Sequence, residues 1–485
     1  MKHLLMAAMV PALLLGCSEH NKQHSQQATD NAEAFWTIQS NVITIKTIDD
    51  QPIANAQILI GDALNSPFAG NFLTTNSAGQ ITIPAAWNQP ASVTVQAAGF
   101  IRSTYMAQMP GNMTITLRPV KNGTTQYEVK GASQDLPVKN GDDQIDFGLV
   151  MSAFTKLDLL SFDLNNVISP QNDTISAMGQ DISVPSNISI PKQWEKYSFF
   201  TINLDKPLYR TYFGQKGVNR LVSIRGRFPF RDTVDAMRGG KEFYELINMF
   251  KISGGGVRDL NVQNGSSQLN IPSTELNFTD KKTVIAPSVR GDEMFIAVGV
   301  ANQSGYMIPT DIKSVASGKK QELGTLANAD QLVLSVVKRT ADLKASNDRM
   351  SATLLPFAAQ TAPKMLPLIN DPSLIGPNEV VFPQFNSIDG VNPIATYSVI
   401  SSQIEVQQGP AKVKIMNPEW EVYASKWVTN MKLPNWPVQS KGNGPKANQK
   451  RWEVSFIGSQ TASQAQLGPA MIEAATHVTH SSISY

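Results

Sequence analysis

Histidine, the commonest general base in enzymes, is almost absent from the body of this chain. The 485 residues contain five histidines, and none lies between positions 24 and 477. A Ser-His-Asp or Cys-His site in a folded body would therefore lack its base, and a zinc site with several histidine ligands is hard to build. His477 and His480 lie among Ser and Thr near the chain end, which favours a frayed polar tail over a metal site. We therefore predict no catalytic residues, no metal and no cofactor.

A cluster of arginines beside aromatic residues is the first candidate for ligand binding. Arg225, Arg227 and Arg231 flank Phe228-Pro229-Phe230. Guanidinium groups bind carboxylates and phosphates through paired hydrogen bonds, and alternate residues of a strand share one face. The formal net charge of +2 argues against nucleic acid as the partner. The alternative interpretation is a solvated face of a sheet.

Tryptophans near the end of the chain are the second candidate. Trp420, Trp427, Trp436 and Trp452 are four of the seven tryptophans. Exposed indole faces on a sandwich would suit stacking on sugar rings. However, the segments around Trp420 and Trp452 alternate as amphipathic strands do, so burial in a core is the favoured interpretation. Trp420 and Trp427 complete the predicted ligand patch with the three arginines.

The only cysteine, Cys17, follows a short apolar run. The run extends from Leu4 to Leu15 after the basic Lys2. As a helix it would rise about 18 Å, which is too short for a bilayer core of about 30 Å. A basic flank and a short apolar run are typical of a secretory signal.

The order Leu14-Leu15-Gly16-Cys17 resembles the lipobox of bacterial lipoproteins. The resemblance implies cleavage after Gly16, a diacylglycerol group on the Cys17 thiol and acylation of the new amino group. Ser18, in place of an Asp, favours the outer membrane. Residues 18–34 contain no aromatic and no β-branched aliphatic side chain, so they are predicted to be a flexible tether.

From Val42 to Pro119 the chain consists of short alternating or β-branched runs between turns, which predicts an antiparallel sandwich. The predicted strands are Val42–Ile48, Ala56–Ile60, Gln80–Pro84, Ala91–Ala97 and Met113–Leu117. Further strands are predicted at Asp181–Ile190, Tyr197–Leu204 and Met294–Ala301. One short helix is predicted where Phe243, Leu246, Ile247 and Phe250 follow helical spacing.

Residues 38–120 also resemble a carboxypeptidase regulatory-like domain, a small transthyretin-like sandwich. The segments that carry the resemblance are Pro52-Ile53-Ala54-Asn55-Ala56-Gln57-Ile58, Thr74-Thr75-Asn76-Ser77-Ala78-Gly79-Gln80-Ile81 and Val93-Thr94-Val95-Gln96-Ala97-Ala98-Gly99-Phe100. It implies a turn with positive φ at Gly79, a core position for Phe100, and a non-catalytic module. The loop from Asp62 to Asn71 is longer than the family pattern.

The predicted fold class is mainly β: a sandwich of the seven-stranded type, followed by one or two larger β-rich domains with few short helices. The predicted segments are a signal peptide at 1–16, the lipidated Cys17 and tether at 17–36, the sandwich at 37–120, a β-rich domain with one short helix at 121–320 and a C-terminal β-rich domain at 321–485. Alternatively, residues 121–485 form one large unit.

These features predict an exported lipoprotein of the cell envelope with a non-enzymatic role in binding, envelope assembly or adhesion. Its predicted partners are the membrane, through the lipid anchor, and an envelope protein or polysaccharide, but not nucleic acid. A carboxylate-dependent, glycosidase-like hydrolase is the alternative, because two carboxyl groups can act without histidine. In that case the sandwich would be an accessory module. A purely structural spacer is the third interpretation.

Overall fold

The computed structural model describes residues 41–64, 72–120, 127–136, 143–156, 172–177, 180–185, 188–189, 200–202, 208–213, 216–344, 349–358, 361–408, 411–436 and 450–485. The signal peptide, the Cys17 anchor and the tether predicted above lie outside these residues. Asn41–Tyr485 form one compact unit.

The strands are labelled in chain order. Those of residues 41–120 are β1 Val42–Thr47, β2 Gln57–Ile60, β3 Leu73–Thr74, β4 Gln80–Thr82, β5 Ala91–Gln96, β6 Arg102–Gln108 and β7 Met113–Leu117. Next come β8 Tyr127–Gln134, β9 Gln144–Ser152, β10 Asn172–Ala177, β11 Gln180–Pro185, β12 Ile188–Ser189, β13 Phe200–Ile202, β14 Leu208–Phe213, β15 Gly217–Pro229, β16 Lys251–Val262, β17 Ser266–Gln268, β18 Ile271–Pro272 and β19 Leu276–Asn277. The remainder are β20 Asp280–Ile285, β21 Glu293–Gln303, β22 Tyr306–Ser314, β23 Lys320–Thr325, β24 Asp330–Arg339, β25 Arg349–Pro356, β26 Ser373–Gly376, β27 Glu379–Val381, β28 Asn392–Gln408, β29 Ala411–Ala424, β30 Asn430–Lys432, β31 Lys450–Ser459 and β32 His477–Ser484.

Helices are few in the described part of the chain, so the mainly β prediction is confirmed. They are α1 Phe230–Arg238, α2 Phe243–Leu246 and three 3-10 turns at Ile247–Met249, Thr340–Lys344 and Pro469–Ala474. The predicted helix is confirmed, because α2 and the turn after it bury Leu246 and Ile247, and Phe250 follows them into the core. The prediction of a single helix is wrong, because it missed α1, in which Phe230, Val234 and Met237 also follow helical spacing.

The seven strands of residues 41–120 form a sandwich, as predicted, but it is not wholly antiparallel, because β1 pairs with β7 in parallel. One sheet has the order β4-β1-β7, and β3-β2-β5-β6 form the other face as part of a larger sheet. Alternation along β1 buries Ile43 and Ile45 against Val93 and Val95 of β5. Gly79 has a φ of 71°, as expected for its turn. Phe100 packs against this core but is only partly buried.

The sandwich is continuous with the rest of the molecule through a twelve-stranded sheet. Among the described residues its order is β22-β21-β24-β25-β32-β31-β28-β29-β6-β5-β2-β3. The link is a parallel pairing of β6 with β29, in which Arg102 lies opposite Trp420 and Tyr105 opposite Tyr423. Strand pairing therefore joins segments from both ends of the chain in one sheet.

Two layers cover opposite faces of the twelve-stranded sheet near this link. The face that carries Tyr105 and Tyr423 packs on the β4-β1-β7 sheet. The opposite face carries Trp420, Trp452 and Phe456, and packs on a small sheet of order β26-β27-β30. The order of the third large sheet is β12-β13-β9-β15-β16-β19, and its core includes Phe147 and Phe228. A cleft lies between the twelve-stranded sheet and the β26-β27-β30 sheet that packs on it.

The polar tail predicted around His477 and His480 is wrong. β32 lies inside the twelve-stranded sheet, between β25 and β31, and its first six residues are buried. The Nε2 atom of His477 lies 3.0 Å from the carbonyl oxygen of Lys364, and the Thr479 hydroxyl donates to the carbonyl of Pro367 at 2.8 Å. Polar side chains can be buried here because backbone carbonyls of the covering segment accept their hydrogen bonds.

Candidate functional site

A cleft of about 420 Å³ opens where the twelve-stranded sheet meets the β26-β27-β30 sheet. We call it the Arg102 cleft. Its sheet side is formed by Ile101, Arg102, Ile400, Asn417, Trp420 and Lys450. The opposite side is formed by Pro377 and Asn378, between β26 and β27, and by Leu433 and Trp436, which follow β30. Such a volume lies within the range of about 300–1,000 Å³ typical of small-molecule pockets.

Strand register brings these side chains together from distant parts of the chain. Arg102 lies opposite Trp420 in the parallel pair, and Trp420 lies opposite Ile400 in the neighbouring antiparallel pair. A β-bulge follows, because Ile400 pairs with Trp420 while Ser401 pairs with Pro418. Glu419 is the additional residue of the bulge, and it lines the cleft. Bulges commonly re-aim side chains next to binding sites.

Arg102 is held in place by two aromatic rings and an amide. Its Cζ atom lies 4.6 Å from the ring centroid of Trp420 and 4.9 Å from that of Trp436. Its Nε donates to Oε1 of Gln96 at 3.0 Å. Burial lowers the pKa of Arg102 to about 10, opposed by the Glu419 carboxylate, so the guanidinium stays charged at neutral pH. Its Nη1 and Nη2 groups donate to no described residue.

The rim of the cleft combines charged and neutral polar groups. Lys450 Nζ lies 3.9 Å from a carboxylate oxygen of Glu419, and both side chains are partly exposed. The Oδ1 atom of Asn417 is buried without a hydrogen-bond partner among the described residues. Burial, with a smaller effect of Glu419, raises the pKa of Tyr485 to about 12, so its hydroxyl remains protonated. The cleft thus offers donors and acceptors to a polar ligand.

The predicted arginines lie in another sheet and are largely engaged by acidic residues. Arg227 binds the carboxylate of Asp146 through two hydrogen bonds of 3.2 Å, and Arg231 lies 3.5 Å from Asp143. Arg225 lies between the glycines of two neighbouring strands, and its Nε is buried without a partner among the described residues. The structure therefore does not bring these arginines together with the tryptophans of the predicted patch.

The two predicted tryptophans are core residues rather than an exposed stacking row. Trp420 is 9% exposed, and its Nε1 donates to the hydroxyl of Thr104 at 2.8 Å. Trp427 is partly buried and stacks on Phe385 with ring centroids 4.7 Å apart. Burial was the interpretation favoured by the sequence. Trp420 nevertheless lines the cleft, because the guanidinium of Arg102 lies over its ring.

The sequence pattern did not single out Arg102, Glu419, Lys450 or Tyr485. One feature of the sequence could have indicated Arg102. It is the first residue of β6, a strand that was not predicted, and it directly follows the apolar pair Phe100-Ile101. A charged residue on a strand between buried positions is unusual and indicates a specific partner. Its aromatic partners Trp420 and Trp436, however, lie more than 300 positions away in the chain.

A second cavity of about 480 Å³ lies over β24 and β25. Aliphatic side chains such as Val333 and Leu355 line it, with the buried hydroxyl of Thr353. Lys364 is the charged residue among the described ones that line it, and its Nζ is 3.7 Å from the Asp389 carboxylate. Within the described ranges no group of three or more His, Cys, Asp or Glu could hold a metal ion. No helix in those ranges is long and apolar enough to cross a membrane.

No family model matches the chain, and no characterised protein matches it at a significant level. Among solved structures, it is similar to the Bacillus anthracis TIE protein with 9% identity and a TM-score of 0.16, over 66% of this chain and 48% of that one. It therefore spans about half of that protein. The similarity to BcpA, the major pilin subunit of Bacillus cereus, covers 81% of this chain and 99% of the pilin, with 7% identity and a TM-score of 0.15. The similarity to a variant of the same pilin covers 67% of this chain and 94% of the pilin, with 7% identity and a TM-score of 0.14. Such low TM-scores carry no argument about fold or function.

Proposed function

We propose that this chain is an exported lipoprotein, attached to a membrane through Cys17, that binds a ligand in the Arg102 cleft without chemically changing it. The observation that carries the binding function is the state of Arg102. Its ring contacts and its Nε hydrogen bond hold the guanidinium in place, while its Nη groups have no partner among the described residues.

A guanidinium held in this way is preorganised to bind a ligand. Removing a charged group from water is costly unless its hydrogen bonds are made, so ligand oxygens that pair with the Nη groups would be favoured. The neighbouring rings already restrict the side chain, which lowers the entropy lost when the ligand is bound. Asn417 adds a buried acceptor on the same side of the cleft.

The cleft supports binding better than hydrolysis. Glycosidases use two carboxyl groups that face each other across the scissile bond, about 5–10 Å apart. Among the described residues that line the cleft, Glu419 carries the one carboxyl group of a side chain. Tyr485 keeps its proton at neutral pH and so is not a ready base. A carboxylate-dependent hydrolase would need a second carboxyl group in this cleft.

The lipid anchor is supported by the sequence around Cys17. The lipobox order Leu14-Leu15-Gly16-Cys17 and the short apolar run before it favour lipidation, and Ser18 favours the outer membrane. Each buried CH2 group contributes about 0.8 kcal/mol to membrane attachment, so two or three acyl chains together hold a protein durably. We propose that the protein binds an envelope polymer or protein close to that membrane, in assembly or adhesion.

The anchor is tested with Cys17→Ser in the full-length chain. The wild-type protein should incorporate labelled palmitate and partition into detergent-rich phase, whereas the variant should do neither. A matched Ser18→Ala variant should behave as the wild type, because that position lies outside the thiol chemistry. An unmodified thiol in the mature wild-type protein would overturn the anchor.

The binding function is tested with the same Cys17→Ser chain, immobilised and exposed to envelope extracts. A partner should be retained, and the further change Arg102→Met should abolish its retention. The retained material is then analysed to determine whether its glycosidic bonds have been cleaved. If retention is absent, or if Arg102→Met leaves it unchanged, the cleft is not the binding site; if the material is cleaved, the protein is a hydrolase.

A further inference from the structure

The charges of the Arg102 cleft define the class of ligand that would fit it. Among the described residues, two cationic side chains, Arg102 and Lys450, and one anionic side chain, Glu419, line the cleft. Lys450 and Glu419 are 3.9 Å apart and largely compensate each other. Among these described side chains Arg102 is therefore the cation without a compensating charge, and one negative charge on the ligand would balance it.

The geometry of Arg102 favours a carboxylate as that charge. The Nη donors of a guanidinium form a planar fork that matches the two oxygens of a carboxylate. A phosphate monoester carries close to two negative charges at neutral pH. The charged side chains that line the cleft among the described residues sum to one positive charge, so the second negative charge of a phosphate would have no counter-charge there. A singly charged carboxylate meets Arg102 without that penalty.

The remaining polar groups suit hydroxyls on the rest of the ligand. Asn417 Oδ1 is an acceptor without a partner in the described part of the chain, and the Tyr485 hydroxyl is a protonated donor. Glu419 is a partly exposed acceptor at the rim. Ile101, Leu433 and Pro418 line the cleft with apolar surface, which suits the C–H faces of a sugar ring. An alternation of hydroxyl partners and apolar patches fits a sugar better than a peptide terminus, whose binding uses backbone N–H donors.

We propose that the Arg102 cleft binds a saccharide that carries one carboxylate per sugar unit, such as a uronic acid residue of an envelope or extracellular polysaccharide. The carboxylate pairs with the Nη groups of Arg102, and hydroxyls of the ring contact Asn417, Tyr485 and Glu419. This inference rests on the proposed binding function and specifies its ligand.

The test is calorimetric titration of the full-length Cys17→Ser chain with oligogalacturonate. Its neutral analogue, in which the carboxylates are reduced to alcohols, and galactose 6-phosphate are titrated in parallel. The acidic oligosaccharide should bind at least about 10-fold more tightly than either probe, as expected for charge-assisted paired hydrogen bonds. Arg102→Met should lower its affinity about 10-fold or more, and Arg102→Lys by an intermediate factor, because lysine keeps the charge but loses the fork.

Two further variants keep the test decisive if Arg102→Met disturbs packing on the tryptophans. Glu419 is a rim residue, so Glu419→Gln should fold normally and should strengthen binding of galactose 6-phosphate relative to oligogalacturonate. Arg290→Met removes an arginine whose side chain is 74% exposed outside the cleft, and should leave all affinities unchanged.

Equal binding of the acidic and neutral sugars, tighter binding of the phosphate, or affinity that is insensitive to Arg102→Met would overturn the saccharide assignment. Competition by a peptide with a free terminal carboxylate, with the same dependence on Arg102, would replace it by a peptide ligand. If envelope material is retained through Arg102 but no carboxylated sugar binds, this inference fails and the proposed binding function stands. If neither is observed, both fail.

Discussion

The guanidinium of Arg118 donates a hydrogen bond of 2.9 Å to the carboxylate of Glu421, a residue 303 positions later in the chain. Glu421 is 1% exposed, and the hydroxyls of Tyr397 and Tyr423 donate to its two oxygens at 3.1 Å and 2.8 Å. Burial, and next the Glu421 carboxylate, raise the pKa of both phenols, which therefore stay protonated as donors. This group ties the end of the sandwich to strands β28 and β29.

Glu421→Gln should destabilise the fold by about 3 kcal/mol or more, because it leaves Arg118 without its buried counter-charge. The measurement is the free energy of unfolding in urea. Glu419→Gln is the matched control, since its side chain is 43% exposed, and it should change stability by less than about 0.5 kcal/mol. Equal losses for the two variants would show that the buried group does not stabilise the junction.

Thr104→Val should cost about 1–3 kcal/mol, because the buried Nε1–H of Trp420 would lose its acceptor on Thr104. Combined with Trp420→Phe, which removes the donor, it should show a coupling free energy of about 0.5–3 kcal/mol in a double-mutant cycle. Thr114→Val on the exposed side of β7 serves as control and should be nearly neutral. Additive effects would contradict the contact between β6 and β29.

Gly256→Ala should destabilise the protein by about 1–3 kcal/mol or more, through overpacking. A Cβ atom at this position would fall on the carbonyl oxygen of Pro272, which belongs to the backbone and cannot rotate away. At Gly111 nothing lies within 4 Å of an added Cβ, so Gly111→Ala should be tolerated. Thermal unfolding of both variants compares them, and a tolerated Gly256→Ala would contradict the close approach of β16 and β18.

Stability should fall as the pH drops below about 6.5, because burial lowers the pKa of His477 from its ordinary value of 6.5. Below that value the unfolded chain binds a proton that the folded protein does not, so protonation favours unfolding; above it, the full stability is present. Unfolding free energies measured at about pH 7.5 and about pH 5.5 should differ less in His477→Gln, which cannot titrate but can still donate to the carbonyl of Lys364. An unchanged pH dependence would mean that other groups cause the loss.

The sequence by itself determined the local structure wherever apolar residues alternate. β1, β5 and β21 lie where alternation or apolar runs predicted them, and the helical spacing from Phe243 to Phe250 predicted α2. In these segments the spacing of apolar residues predicts which positions are buried, because a strand or helix packs its apolar side against the core. The sequence also predicted that Trp420 and Trp452 are buried rather than displayed.

Only the tertiary structure decided where polar strands lie and which of their side chains meet. β6 and β32 bury Ser, Thr and His, so hydropathy alone did not mark them as inner strands. Their side chains find hydrogen-bond partners on distant segments, and the parallel pairing of β6 with β29 closes more than 300 residues of chain. The Arg102 cleft depends on that pairing. The sequence does not predict a parallel pair between distant segments, because no local turn connects the two strands. Their register is set by packing across the completed sheet.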